Sequence, residues 1–288
     1  MRAVRSAALC IVGLIASWQP DVFTAAPLPN KAGTVKFAVI GDNGTGDSGQ
    51  YEVGAEMARR RAQFPFDLVL MMGDNFYGAQ RAGDLQQKFE RPYKPLLDAG
   101  VRFQAAIGNH DELDTINYPP LNMDGRRYYT FTQGPVRFFV LDTNSLDPRQ
   151  IQWFEEALKA SREEWRISFF HHPLYSNAGR HGSNADLRIR LEPLLVKYSV
   201  SVVFSGHDHV YERLKPQKGI TYFVCGSSGK LRKGDLQRSD TTALGFDTDQ
   251  TFLLAEVDGD TLFFETISRK GDTVDAGTIR RVDPRAGT

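Results

Sequence analysis

Predominantly apolar runs of six or seven residues recur along this chain, and each breaks off into a short polar segment. The runs are TVKFAVI (34–40), FDLVLMM (66–72), VRFQAAI (101–107), WRISFF (165–170) and SVSVVFS (199–205). Apolar stretches of that length with little alternation are what strands buried on both faces look like. Helical patterns lie between them, over residues 50–63, 148–160 and LRIRLEPLLVKY (187–198). DLQQKFERPYKPLLDAG (84–100) is expected to be mostly helical, interrupted by Pro92 and Pro95, which lack a backbone donor. RYYTFTQGPVRFFVLDT (127–143) reads as a hairpin turning at Gly134–Pro135. YFVC, TFLLAEV and TLFFETIS make the last third strand-rich. Strand–helix alternation followed by strands predicts a layered α/β sandwich.

The polar segments carry the chemistry. Five runs end in GDNGTGD, GDNFY, GNHD, HHP and GHDH. All six histidines lie in such short polar segments: His110, His171, His172, His207 and His209 in those just named, and His181 in GRHGS. In layered α/β folds the loops at the carboxyl ends of strands converge on a crevice where ligands bind. Five loops delivering carboxylate, amide, phenol and imidazole to one rim would build a metal site. Each residue alone has a plainer reading. Asp42 and Asp74 could cap helices, Asn109 could bond its own backbone, Tyr77 could be a core aromatic and His181 a solvated loop histidine. The ordered recurrence outweighs those readings.

GDNG, GDNFY, GNHD, HHPLY and GHDHVYER, in that order, resemble the five blocks of the purple acid phosphatases, members of the calcineurin-like metallophosphoesterases. The resemblance spans roughly residues 35–230 and is similar to the small tartrate-resistant type, with GDNFYGAQ and GRHG fitting that branch. Its departures are Asn43 in the first block and the extra histidine His172, which stays without a role. The resemblance implies a four-layer αββα sandwich of two mixed sheets flanked by helices, within a single catalytic domain over residues 27–288. It implies two metals, one held by Asp42, Asp74, Tyr77 and His209, the other by Asp74, Asn109, His171 and His207, with Asp74 bridging. A metal-bound hydroxide would attack a phosphomonoester in line, with His110, aided by His181, as proton donor and Asn109, His110 and His181 contacting substrate. Asp111 could hold His110 in its working tautomer, and Tyr211, Glu212 and Arg213 are expected to pack behind the site.

The donor set itself bears on metal identity. Asp42, Asp74 and an ionised Tyr77 carry three negative charges. A trivalent and a divalent ion leave that site net positive and suited to a phosphate dianion, and a hard phenolate favours Fe(III) at the first position. The second position could take Fe(II), Zn or Mn. Other readings of the same residues are a phosphodiesterase or nucleotide pyrophosphatase, and a non-catalytic phosphate-binding protein. No G-x-S-x-G hydrolase elbow is present.

Composition narrows the rest. Hydrophobic residues make up 41% and charged residues 24% of 288, ordinary for a globular chain with a large core. The 35 basic and 35 acidic residues balance, so no broad basic surface marks nucleic acid as a specific partner; a small phosphorylated substrate is expected instead. Arg2, Arg5, the apolar run AALCIVGLIASW and the small residues of FTAAPLP read as a signal peptide over residues 1–26. Export to the periplasm or medium follows, with no stable membrane anchor after cleavage. Cleavage removes Cys10 and leaves Cys225 alone, without an internal disulfide and expected to be inert. A monomer is compatible with this composition, and oligomeric state stays open. Substrate choice is expected from rim loops 78–90, 111–127, 176–186 and 229–250.

Overall fold

A computed structural model describes residues 28–282, apart from Arg238. The expected signal segment and Cys10 lie outside the described residues. Two mixed sheets face each other. The first takes β1 (Val35–Ile40), β2 (Leu68–Met71), β3 (Arg102–Ala105), β11 (Thr251–Asp258), β12 (Thr261–Ser268) and β13 (Thr273–Arg280), in the order β13-β12-β11-β1-β2-β3. The second takes β4 (Tyr129–Gln133), β5 (Val136–Val140), β6 (Trp165–Phe169), β7 (Val202–Ser205), β8 (Tyr211–Leu214), β9 (Thr221–Cys225) and β10 (Thr242–Phe246), in the order β10-β8-β9-β7-β6-β5-β4.

Side-chain alternation explains the layering. On β5, Phe138 joins the core between the sheets, while its neighbour Phe139 joins a second core outside. Phe204 and Val203 on β7 divide the same way, as do Phe223 and Tyr222 on β9. Each of these strands is thus apolar on both faces, which is why the runs show no alternation. Between the sheets, Phe37 of β1 meets Phe138 edge-on at 5.5 Å, and Phe264 of β12 meets Phe223 at 5.2 Å. The outer core is closed by α4 (Pro148–Ala160) and α5 (Ala185–Lys197) through Phe154, Leu158, Leu187, Leu191 and Leu195. On the other side α1 (Ser48–Arg61) buries Val53 and Met57. The result is the expected αββα sandwich.

Local chemistry sets the element ends. Asp147 caps α4 by accepting from Gln150 N at 2.8 Å, with Pro148 at the first helical position. Asn184 caps α5 by accepting from Leu187 N at 3.0 Å. The hairpin at Gly134 forms as expected, with Gln133 opposite Val136. The 84–100 stretch divides into α2 (Ala82–Leu85), a π turn (Gln86–Glu90) and α3 (Lys94–Asp98), so its prolines do break it. Three strands, β8, β10 and β13, were not expected. β10 and β13 are sheet edges with half-exposed faces, and β8 carries the charged Glu212 and Arg213, so none offers an apolar run.

β1, β2 and β3 run parallel, as do β5, β6, β7 and β9. The five polar segments therefore leave the carboxyl ends of β1, β2, β3, β6 and β7.

Candidate metal centre

The loops after these five strands interlock. Asp42 N donates to Gly73 O at 3.1 Å, Gly44 N to Asp74 O at 3.2 Å, and Gly206 N to His171 O at 2.9 Å. Asp42 and Asp74 both have φ of 52° and His207 has 70°, left-handed backbone that non-glycine residues seldom adopt. Such conformations cost roughly 1 kcal/mol or more each and persist where the surroundings dictate them. Close approach explains two glycines. A Cβ on Gly73, at φ +91°, would stand 2.8 Å from His171 Nδ1, and one on Gly206 would stand 2.5 Å from Asp42 Oδ2.

Two donor groups result. In the first, Tyr77 Oη donates to Asp42 Oδ1 at 3.0 Å and lies 3.1 Å from His209 Nε2, which is 3.4 Å from Asp42 Oδ1. Asp42, Asp74 and His209 each offer a ligand atom within 4.8 Å of the others. In the second, His171 Nε2 lies 2.9 Å from Asn109 Oδ1, 3.1 Å from His207 Nδ1 and 3.4 Å from Asp74 Oδ1. Asp74 reaches both groups. His171 Nδ1 lies 2.9 Å from Met72 O, and a carbonyl can only accept, so Nδ1 carries the proton. His171 Nε2 then points a lone pair at two oxygen acceptors, Asn109 Oδ1 and Asp74 Oδ1. A cation among them resolves that conflict. With metal–nitrogen bonds of about 2.1 Å, neighbouring ligand atoms stand about 3.0 Å apart, which matches the spacing here. The residues present fit a metal pair.

Electrostatics point the same way. Burial first, then the charge of Asp74, holds the Asp42 carboxyl well above its ordinary range. Burial, followed by Asp42 and Asp74, raises the Tyr77 phenol. Burial and then His172 push His171 well below the imidazole range. His207 falls to about 2 through burial and then His171, and His209 to about 4 through burial and then Arg232. Neutral imidazoles beside crowded buried carboxylates are a site preset for cations, since metal ligands must be unprotonated.

The remaining residues of the predicted site fall in several places. His110 is exposed, its N–H donates to Asp74 Oδ1 at 2.9 Å, and its ring stands 4.8 Å from that of Tyr77. His181 is exposed with its ring 4.3 Å from that of His207, so the 176–186 loop does deliver it to the second group. His172 lies in the same cluster, 4.4 Å from the His207 ring, with Nδ1 2.9 Å from Thr143 Oγ1. Asp111 is a correction. Its carboxylate accepts from Asn75 Nδ2 and Gly108 N, both at 2.8 Å, and from Phe76 N at 2.9 Å. Both oxygens are engaged in clasping the GDNFY loop to the GNHD loop, and neither orients His110. Burial pushes this carboxyl up to about 7. Tyr211 and Arg213 do pack behind the site: Tyr211 Oη bonds Asp275 Oδ2 at 2.8 Å and Arg213 Nε does so at 2.7 Å. Arg213 is thereby unavailable for substrate charge. Cys225 is buried and its thiol is raised by burial alone, in keeping with an inert residue.

One contributor was expected from the sequence only as part of rim loop 229–250, with no role at the metal groups. The loop after β9 closes the first group: Ser228 N donates to Gly41 O at 3.1 Å, Lys230 N to Asp42 O at 2.9 Å, and Arg232 N to His209 O at 2.9 Å. The Lys230 ammonium stands 4.7 Å over the Tyr77 ring. The available signal was GSSGKLRK, small residues followed by cations directly after a strand.

Comparisons with known proteins agree with this arrangement. The model of the calcineurin-like phosphoesterase family matches residues 35–211. Mouse tartrate-resistant acid phosphatase type 5 is 28% identical over 261 residues, covering 75% of this chain and 78% of its own. Among solved structures, the purple acid phosphatase PPD1 of yellow lupin seeds superposes with a TM-score of 0.73 at 21% identity, over 89% of this chain and 55% of its own. GAP50, described as the anchor in the inner membrane complex of Plasmodium, superposes at 0.75 with 18% identity, over 88% of this chain and 90% of its own. At such identities these two are likenesses of fold.

Proposed function

Because the chain belongs to the calcineurin-like phosphoesterase family and is a phosphoesterase hydrolase, we propose that it is an exported binuclear phosphatase of the purple type, acting on phosphomonoesters. The first metal, Fe(III), is assigned to Asp42, Asp74, Tyr77 and His209, and the second, Fe(II), Zn or Mn, to Asp74, Asn109, His171 and His207. The observation that carries this reading is the meeting of unprotonated His171 Nε2 with Asn109 Oδ1, Asp74 Oδ1 and His207 Nδ1 at 2.9–3.4 Å, with Asp74 shared between both groups.

When bound, the ions supply Lewis acidity toward the phosphoryl oxygens and an acidified water. The chain does the rest. Asp74 Oδ1 holds the backbone of His110, which keeps that imidazole at the open face beside Tyr77. From there His110 gives its proton to the leaving alkoxide, a step worth about 10²–10⁴ in rate. His181 and Lys230 flank the two metal positions and hold the phosphate dianion. Asp111 keeps the two loops in register.

The test combines a visible spectrum, metal analysis and p-nitrophenyl phosphate turnover for wild type and Tyr77→Phe. A broad visible band lost in Tyr77→Phe, with about two metals per chain, is expected. A colourless active zinc or manganese enzyme removes Tyr77 as an iron ligand and keeps the phosphatase. Faster turnover of bis(p-nitrophenyl) phosphate than of the monoester favours a diesterase. Metal binding without turnover of either ester moves the reading to a phosphate-binding protein.

A further inference from the structure

Two clefts run outward from the metal-ligand cluster on the side of the GNHD loop. The nearer, of about 440 Å³, begins at Asn109 and His172 and is floored by Thr143, Asn144 and Ser145. The farther, of about 550 Å³, is lined by Ile116, Tyr128 and Trp153. Leu113 and Arg127 line both, so they form one groove. The groove changes character along its length. The near half presents hydroxyl and amide groups. The far half sets Leu113, Ile116 and the Tyr128 and Trp153 rings, 4.9 Å apart and tilted at 53°, beside the side chains of Arg126 and Arg127. Leu113 stands at the junction with 62% of its surface exposed, a large exposed apolar side chain that no neighbour covers. Arg127 Nη1 lies 3.2 Å from the buried Asp142 Oδ2 and Arg126 Nη2 lies 2.9 Å from Asp124 Oδ2, so both charges have carboxylate partners and the groove does not select a second anion.

The groove starts on the correct side for a leaving group. Asn109 and Asp111, which flank the proton donor His110 in sequence, both line its near half. On the other side of His172, the cleft of about 430 Å³ around Arg180, His181 and Asp186 is mostly polar and carries no aromatic ring besides its histidines. An alcohol leaving on the Asn109 side of the metal-ligand cluster therefore enters the groove that ends in aromatic rings.

We propose that this groove is a leaving-group subsite, and that the preferred substrate is a phosphomonoester whose alcohol carries a hydroxylated spacer followed by a flat ring, as in a nucleoside 5′-monophosphate. The inference rests on the phosphatase reading and adds the substrate class to it. The sugar lies over Thr143, Asn144 and Ser145, and the base packs against Leu113, Tyr128 and Trp153. Base–aromatic stacking is sequence-tolerant, because every base has a π face, so all four bases are accepted. Hydrolysis adds water across the P–O5′ bond. The water oxygen goes to phosphorus, and the 5′-alkoxide takes a proton from His110, giving nucleoside and inorganic phosphate.

Adenosine, AMP and ribose 5-phosphate test this. AMP and ribose 5-phosphate share phosphate and sugar and differ in the base alone. The KM for AMP is expected about tenfold below that for ribose 5-phosphate, an advantage lost in Trp153→Ala. Adenosine, which needs neither metal nor turnover to bind, is expected to quench Trp153 emission saturably in a Trp18→Phe chain, since the other remaining tryptophan, Trp165, is fully buried with its indole N–H on Gly259 O. Leu113→Ala, on an exposed side chain that folding does not need, weakens that quenching about tenfold while Trp153 stays in place. Equal KM for the two esters, or no saturable quenching, overturns the subsite and leaves the phosphatase reading standing. Saturable quenching with both esters inert upholds the subsite and overturns the phosphatase reading.

Discussion

Gly206→Ala places one methyl group between two halves of the site. Gly206 has no left-handed backbone, so an alanine meets no conformational strain and acts through space alone. Its Cβ would stand 2.5 Å from Asp42 Oδ2 and 3.2 Å from both Met72 Cβ and Met72 O. Ordinary contact begins at 3.4 Å, so relief needs 3.4 minus 2.5, or about 0.9 Å of movement. The methyl is boxed in on the Met72 side, and Gly206 N is tied to His171 O at 2.9 Å, so the Asp42 carboxylate takes up the shift. A shift of that size stretches the 2.8 Å bond from His207 N to Asp42 Oδ2 to about 3.7 Å, past hydrogen-bonding range. It also moves Asp42 Oδ1 away from Tyr77 and His209, which it meets at 3.0 and 3.4 Å. Misplacement of about 1 Å in a catalytic constellation costs about 10²-fold in rate. We expect kcat for p-nitrophenyl phosphate to fall about 10²-fold, with metal content dropping toward one ion per chain. Overpacking costs about 1–3 kcal/mol, so Tm falls by several degrees while far-UV circular dichroism is kept. Gly83→Ala is the control, because a Cβ there meets nothing within 4 Å. Wild-type activity and metal content in Gly206→Ala would refute the claim that this close approach positions Asp42.

Three further outcomes follow from the same geometry. His110→Ala lowers kcat by about 10²–10⁴ with little change in KM or metal content, since the proposed mechanism gives its side chain the proton transfer and no metal; steady-state kinetics with metal analysis check it. In the metal-free protein the depressed imidazoles lose stability as pH falls below the ordinary imidazole range, while the raised carboxyls of Asp42 and Asp111 gain it. The unfolded chain then takes up protons that His209 refuses until about pH 4 and His207 until about pH 2. After chelation, the urea midpoint at pH 5 relative to that at pH 7.5 should be higher in His209→Asn than in wild type, because the variant lacks the proton the unfolded wild type takes up, and added metal should raise the wild-type pH 7.5 value. Arg213→Ala leaves Asp275 buried beside Tyr211 without its guanidinium, at a cost of about 3 kcal/mol or more. Thermal melts should show the loss, and KM should not move.

Much of the layering was legible because it depends on local pattern. Runs such as TVKFAVI and WRISFF can be buried on both faces, and they became β1 and β6. Asp147 and Asn184 signal helix starts through side-chain caps that need no distant partner. The edge strands β10 and β13 were not legible, because a strand with one open side needs no apolar run and is recognised only by its neighbour. Asp111 illustrates the same limit at the site. Beside His110 in sequence, it reads as that residue's partner, yet its oxygens turn toward Asn75, Phe76 and Gly108.

By itself the sequence determined the residue types, their order and their places behind strands, because period and capping are properties of a few consecutive residues. The tertiary structure decided which side chains face one another. It brought Lys230 over Tyr77 from the loop after β9, bonded Arg213 to Asp275 of β13, and joined Leu113 to Trp153 across the groove. Those pairings join residues 40 to 153 positions apart, from 153 minus 113 to 230 minus 77, and only sheet order and register set them.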